Sequence, residues 1–120
     1  MSARRFDGAF GHEANLPAVN HIAVSIGVPD EDDANELSRT LVEARIAAGT
    51  RTSSGVSHYR WEGAVHERTY WTVTAFTTES RLDALYDHVD ERHDDDLPGI
   101  TYTEIEAEGA YLDWIEEQTG

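Results

Sequence analysis

The chain has no cysteine. Disulfides and thiolate metal sites are excluded by residue type alone. Lysine is missing too. The nine basic residues are all arginine, against 24 Asp and Glu, for a formal net charge of −15. Phosphate recognition needs a basic face, so nucleic-acid binding is not expected, and anionic membranes are disfavoured for the same reason. No apolar run approaches the length of a membrane span, and Met1–Leu16 lacks the apolar stretch of a signal peptide. A cytoplasmic location is the expectation. Neither a Gly-rich phosphate loop nor a Ser/His/Asp constellation stands out, so enzyme activity is the less expected class. An acidic surface without lysine suits a protein kept soluble at high salt, where screening removes most self-repulsion. A salt-loving source is expected.

A length of 120 residues bounds the chain to one domain. Residues 1–18 are polar and without period and read as a flexible tail, leaving 19–120 as the domain. His21–Val28 alternates, with Ile22, Val24 and Ile26 on one face and small residues on the other, as a strand does. Asp30-Glu31-Asp32-Asp33 opens a helix, whose stripe Ala34, Leu37, Leu41, Ala44 and Ala48, widened by Val42 and Ile46, ends at Gly49. Two β-prone runs follow, Gly49–Trp61 and Ala64–Thr78, joined by Glu62-Gly63, the mark of an antiparallel hairpin. Gly55 suggests a bulge or bend in the first of them. Thr78 is a candidate cap for a second helix with its stripe at Leu82, Leu85, Tyr86, Val89 and His93. Ile100–Ala107 reads as a fourth strand, and Ala110–Gln118 as a short last helix with Tyr111, Leu112 and Ile115 inward. The order β-α-β-β-α-β plus a short helix is α+β and ferredoxin-like, with helices on one sheet face. The other face, bearing Trp71 or Phe76, would need covering by other subunits.

Several stretches resemble the CutA family of divalent-cation tolerance proteins. They are Val28-Pro29-Asp30-Glu31, Leu41-Val42-Glu43-Ala44-Arg45-Ile46-Ala47-Ala48 and Tyr59-Arg60-Trp61-Glu62-Gly63, with Thr77-Thr78, Pro98 and Tyr111-Leu112-Asp113-Trp114-Ile115. The similarity runs from Ile22 to Ile115. It implies a tight homotrimer of ferredoxin-like subunits, similar in architecture to the PII signalling proteins, with the hairpin reaching onto neighbouring chains. It implies a non-enzymatic role in divalent-metal tolerance or response, or PII-like ligand sensing. The alternative is a metal-dependent or small-molecule-transforming enzyme at the inter-subunit cleft. The chain departs from the family pattern at four places. Ile26 and Gly49 stand where family members carry Cys, Phe76 where they carry Lys, and His93-Asp94-Asp95-Asp96 where they carry His-Pro-Tyr-Glu. A copper-thiolate role is excluded by residue type.

The candidate trimer-interface residues are Tyr59, Arg60, Trp61 and Glu62 at the hairpin tip, with Trp71. Arg60 is expected to pair with a neighbour's carboxylate, and Trp61 to fill an apolar slot. The metal candidate is His93 with Asp94, Asp95 and Asp96, an imidazole beside carboxylates. No cofactor is required, and a divalent cation (Cu, Zn, Mn or Mg) or a small ligand at the subunit cleft is possible. His58 and His66 flank the turn and could form a cross-strand metal pair, while His12, His21 and His88 read as surface residues. If the acidic surface is built for salt, the melting temperature should rise between low and molar KCl. A melting series with no gain would count against that reading.

Overall fold

A computed structural model describes residues 19–92 and 99–120. The expected tail and the segment His93–Asp96 lie outside the described residues. The elements are β1 (His21–Val28), α1 (Glu31–Glu43), β2 (Gly49–Trp61), β3 (Ala64–Thr78), α2 (Leu82–Arg92), β4 (Ile100–Glu104) and α3 (Gly109–Thr119), with a 3-10 turn at Glu79–Arg81. The strands form one antiparallel sheet in the order β2-β3-β1-β4. Each helical connection skips one strand, the split β-α-β arrangement of the expected ferredoxin-like fold.

β1 behaves as its alternation requires. Ile22, Val24, Ile26 and Val28 are wholly buried, and Ala23, Ser25 and Gly27 lie on the other face. Opposite them on the same face stand Thr77, Ala75, Val73 and Trp71 of β3. Ala34, Leu37 and Leu41 of α1 and Leu82, Leu85 and Val89 of α2 close this core. Each of the Ile, Leu and Val side chains contributes roughly 1.5–3 kcal/mol by leaving water. Trp71 is therefore on the helix-bearing face, partly buried against the chain's own core, whereas Phe76 is on the open face.

α1 starts as expected: Asp30 Oδ2 accepts from the Asp33 N–H at 3.1 Å. It stops earlier than the stripe implied, at Glu43. Arg45 takes φ 60°. Its N–H donates to Val42 O, and that of Ile46 to Leu41 O. This pair of bonds is a Schellman ending, with arginine where glycine is preferred. Ala44 and Val42 are exposed, and Ile46, Ala47 and Ala48 are buried in the turn instead. Gly49 begins β2, and its reason for being glycine is tertiary. A Cβ there would come within 3.2 Å of the Trp114 ring. β4 ends at Glu104 instead of Ala107: the Ile105 N–H donates to His21 O at 2.9 Å, and His21 is the first residue of β1.

α3 does not join the other helices. Tyr111 packs edge-on against Phe76, Trp114 covers Gly49 and Glu116 meets His21, all on the face opposite α1 and α2. Ile115 is wholly buried there, apart from the main core. Tyr111 packs toward the sheet as expected but keeps 37% of its surface exposed.

Two histidines read as surface residues are buried. His21 Nε2 lies 2.7 Å from Glu116 Oε2. His88 packs between α2 and α1 with Nε2 2.8 Å from Thr40 Oγ1. Burial foremost, and then the charge of Arg92, hold the His88 pKa below its usual 6.5, with Glu91 and Glu36 opposing. The unfolded chain thus takes up this proton at higher pH than the folded chain. The stability His88 contributes is complete above pH 6.5 and is lost as pH falls below it. His88→Gln should flatten this part of the profile. Denaturation midpoints at pH 7.5 and 5.5 test it, and equal losses for both proteins would remove His88 as the cause.

Candidate functional site

β2 and β3 run in unbroken register from Gly49 opposite Phe76 to Trp61 opposite Ala64. The bulge expected at Gly55 is absent. Glu62 and Gly63 have φ 52° and 82°, the paired left-handed residues of a type I′ turn. That turn matches the right-handed twist of the strands and sets the register.

β1 pairs with β3 only over Trp71–Thr78. From Thr69 outward, β3 has β2 as its single partner, and residues 60–69 are all exposed. The outer hairpin is thus a two-stranded arm, and the molecule measures 49 × 29 × 25 Å. Val56, Val65 and Trp61 on it are 64%, 63% and 43% exposed. A lone hairpin is marginal in water, and exposed apolar groups on a projecting ribbon point to a covering surface.

The two faces of the arm differ. On the face continuous with the open side of the sheet, Tyr59 stacks on His66 with ring centroids 5.5 Å apart. Tyr70 meets Tyr59 edge-on at 6.0 Å, and the Arg68 guanidinium lies over the Tyr70 ring at 5.4 Å. His66 Nε2 donates to Trp61 O at 3.2 Å. Further in, Arg51 lies 4.8 Å over Phe76. The opposite face carries His58, bonded to Glu67 at 3.0 Å, with Val56, Arg60 and Val65.

The five interface candidates are therefore not one cluster. Tyr59 and Trp61 share the aromatic face, Arg60 points to the other and Glu62 forms the turn. Trp71 lies farther in, beneath the helices. No described carboxylate forms an ion pair with Arg60. His58 and His66 cannot form a cross-strand pair, because His58 stands opposite Glu67 and His66 opposite Tyr59. The metal candidate His93, Asp94, Asp95 and Asp96 lies outside the described residues. Among the described residues no three His, Asp or Glu side chains come together as a metal site. Sequence reasoning missed Val56, Val65, Arg68 and Tyr70. Counting outward from the turn would have found each one's cross-strand partner.

Comparison with known proteins gives the following. The family model of the CutA1 divalent ion tolerance protein matches residues 22–118. A divalent-cation tolerance protein CutA of Thermus thermophilus is 38% identical over 100 residues, covering 81% of this chain and 96% of that protein. The chloroplastic protein CutA of Arabidopsis thaliana is 28% identical over 99% of this chain, which spans only 66% of that protein's length. The solved structure of a periplasmic divalent cation tolerance protein CutA from Archaeoglobus fulgidus superposes with a TM-score of 0.80 at 25% identity, covering 83% of this chain and 99% of that one.

Glu62 is an unfavourable residue for a left-handed position, which asparagine adopts more readily. Glu62→Asn should stabilise the hairpin by up to about 1 kcal/mol. Denaturation at fixed protein concentration tests this, and an unmoved midpoint would mean that the turn does not limit stability.

Proposed function

The chain belongs to the CutA1 divalent ion tolerance family, and from that premise we propose that it acts as a non-enzymatic, PII-like homotrimer in the response to divalent metal ions. In this reading the arm seats on neighbouring copies, and ligand sensing takes place at the subunit clefts. The observation that carries it is the arm itself. Val56, Trp61 and Val65 stand exposed on a ribbon that no other described residue covers. A second copy is the occupant that supplies matching aromatic and acidic surface without a further partner. Tyr59 and Trp61 then bury their rings, Arg60 meets a neighbour's carboxylate, and Trp71 lies at the root of the arm.

Divalent tolerance is the description that the relatives carry. For this chain the cation ligands we assign are His93, Asp94, Asp95 and Asp96. The donor set is nitrogen and oxygen, which suits Zn, Mn or Cu(II) over Cu(I). The cytoplasm is the location we give it, although the Archaeoglobus relative is described as periplasmic and the Arabidopsis one as chloroplastic. The lysine-free acidic surface goes with a high-salt interior.

Light scattering in molar KCl should report the mass of three chains. Trp61→Ala should lower it at dilute concentration. In titrations with Cu, Zn and Mn salts, the heat of binding should fall when His93 is replaced by Ala. A stable single chain, or a Trp61→Ala protein with unchanged mass and melting, would overturn the assembly. Heat unchanged by the His93 replacement would overturn the metal assignment alone.

A further inference from the structure

α3 is a poor helix by its own sequence. It has 11 residues, no side-chain N-cap bond, no acid in its first turn and no base in its last. Glu116 and Glu117 sit instead near the negative end of its dipole. A helix of this length is marginal alone even with good caps. What it lacks is supplied by two cationic or donor groups from distant elements. Arg45 Nη2 donates to Glu117 O at 2.8 Å, satisfying one of the carbonyls left over at the helix end. His21 Nε2 donates to the Glu116 carboxylate at 2.7 Å, the carboxylate being able only to accept.

Arg45 links this to a strained position. It holds φ 60° at the end of α1, where glycine would be at ease. The left-handed turn carries the guanidinium across to α3. An arginine retained at such a position is explained by what its side chain reaches.

We propose that α3 is a conditional strap. It is folded onto the open sheet face only while Arg45 and His21 fasten its C-terminal half, and it opens as one unit with the rest of the chain intact. Trp114 over Gly49, Tyr111 against Phe76 and the burial of Ile115 form the seat. The two fasteners hold the helix in it. Opening uncovers Phe76 and Ile115 without disturbing the core beneath α1 and α2.

The variant Arg45→Gly separates the two roles of Arg45. If the residue only terminates α1, glycine relieves strain and protects the whole chain at least as well. If it fastens α3, the helix loosens while the body does not. Hydrogen exchange on the full chain in molar KCl should show the amides of residues 112–119 exchanging at least ~5-fold faster in Arg45→Gly, with those of β1 and α1 no faster. His21→Gln should give the same local pattern. Unchanged protection of 112–119 in either variant, or equal acceleration throughout β1 and α1, would overturn the proposal.

Discussion

The constraint on which the rest depends is the two-faced character of β1. Its four large aliphatic side chains are wholly buried on one side, and its other side carries only Ala23, Ser25 and Gly27 beyond His21. Both β3 and β4 hydrogen-bond to it, and the core beneath α1 and α2 is built on its apolar face. A slip of one residue would turn Ile22, Val24, Ile26 and Val28 outward together, so the register has no near competitor. The small residues leave room on the other side. The Tyr70 ring lies 3.6 Å from where a Gly27 Cβ would stand.

The arm follows from a mismatch of lengths. β1 has 8 residues, whereas β2 has 13 and β3 has 15. Among the described residues the excess has no third strand and no helix to lie against. Its inner part continues the sheet, while its outer part holds itself by the type I′ turn and by the Tyr59–His66 and Tyr59–Tyr70 ring contacts. These local contacts satisfy the strands but leave Val56, Val65 and Trp61 in water. The same geometry that makes a compact small body thus leaves apolar side chains of the arm in water, and the chain carrying that arm belongs to the CutA1 divalent ion tolerance family.

Much of the fold was legible because its signals are local. The alternation of β1, the Asp30 cap, the Glu62-Gly63 turn and the Leu82–Val89 stripe each depend on neighbours in sequence. The failures are equally specific. Ala and Ile continue the period of α1 to Ala48, yet the chain leaves the helix after Glu43 and turns at Arg45, so that the Ala48 N–H reaches Phe76 O and opens the sheet. Gly49 looked like a helix stop and is instead the seat of Trp114. His21 and His88 looked like surface residues because their partners, Glu116 and Thr40, are 95 and 48 residues away. Alternation in β3 leaves either Trp71 or Phe76 for the bare face, and the register with β1 decides it: Trp71, opposite Val28, lies under the helices, and Phe76, opposite Ala23, lies on the open side.

By itself, then, the order of residues determined the element sequence, the hairpin and its turn, the apolar faces of β1 and α2, and the exclusion of thiolate chemistry. Those properties rest on period, capping and residue type, which act within a few positions. Only the tertiary structure decided which sheet face receives α3, which histidines are buried, where α1 ends and how far the arm projects. Each of these depends on contacts between segments far apart in the chain, where packing space and hydrogen-bond partners outweigh local preference.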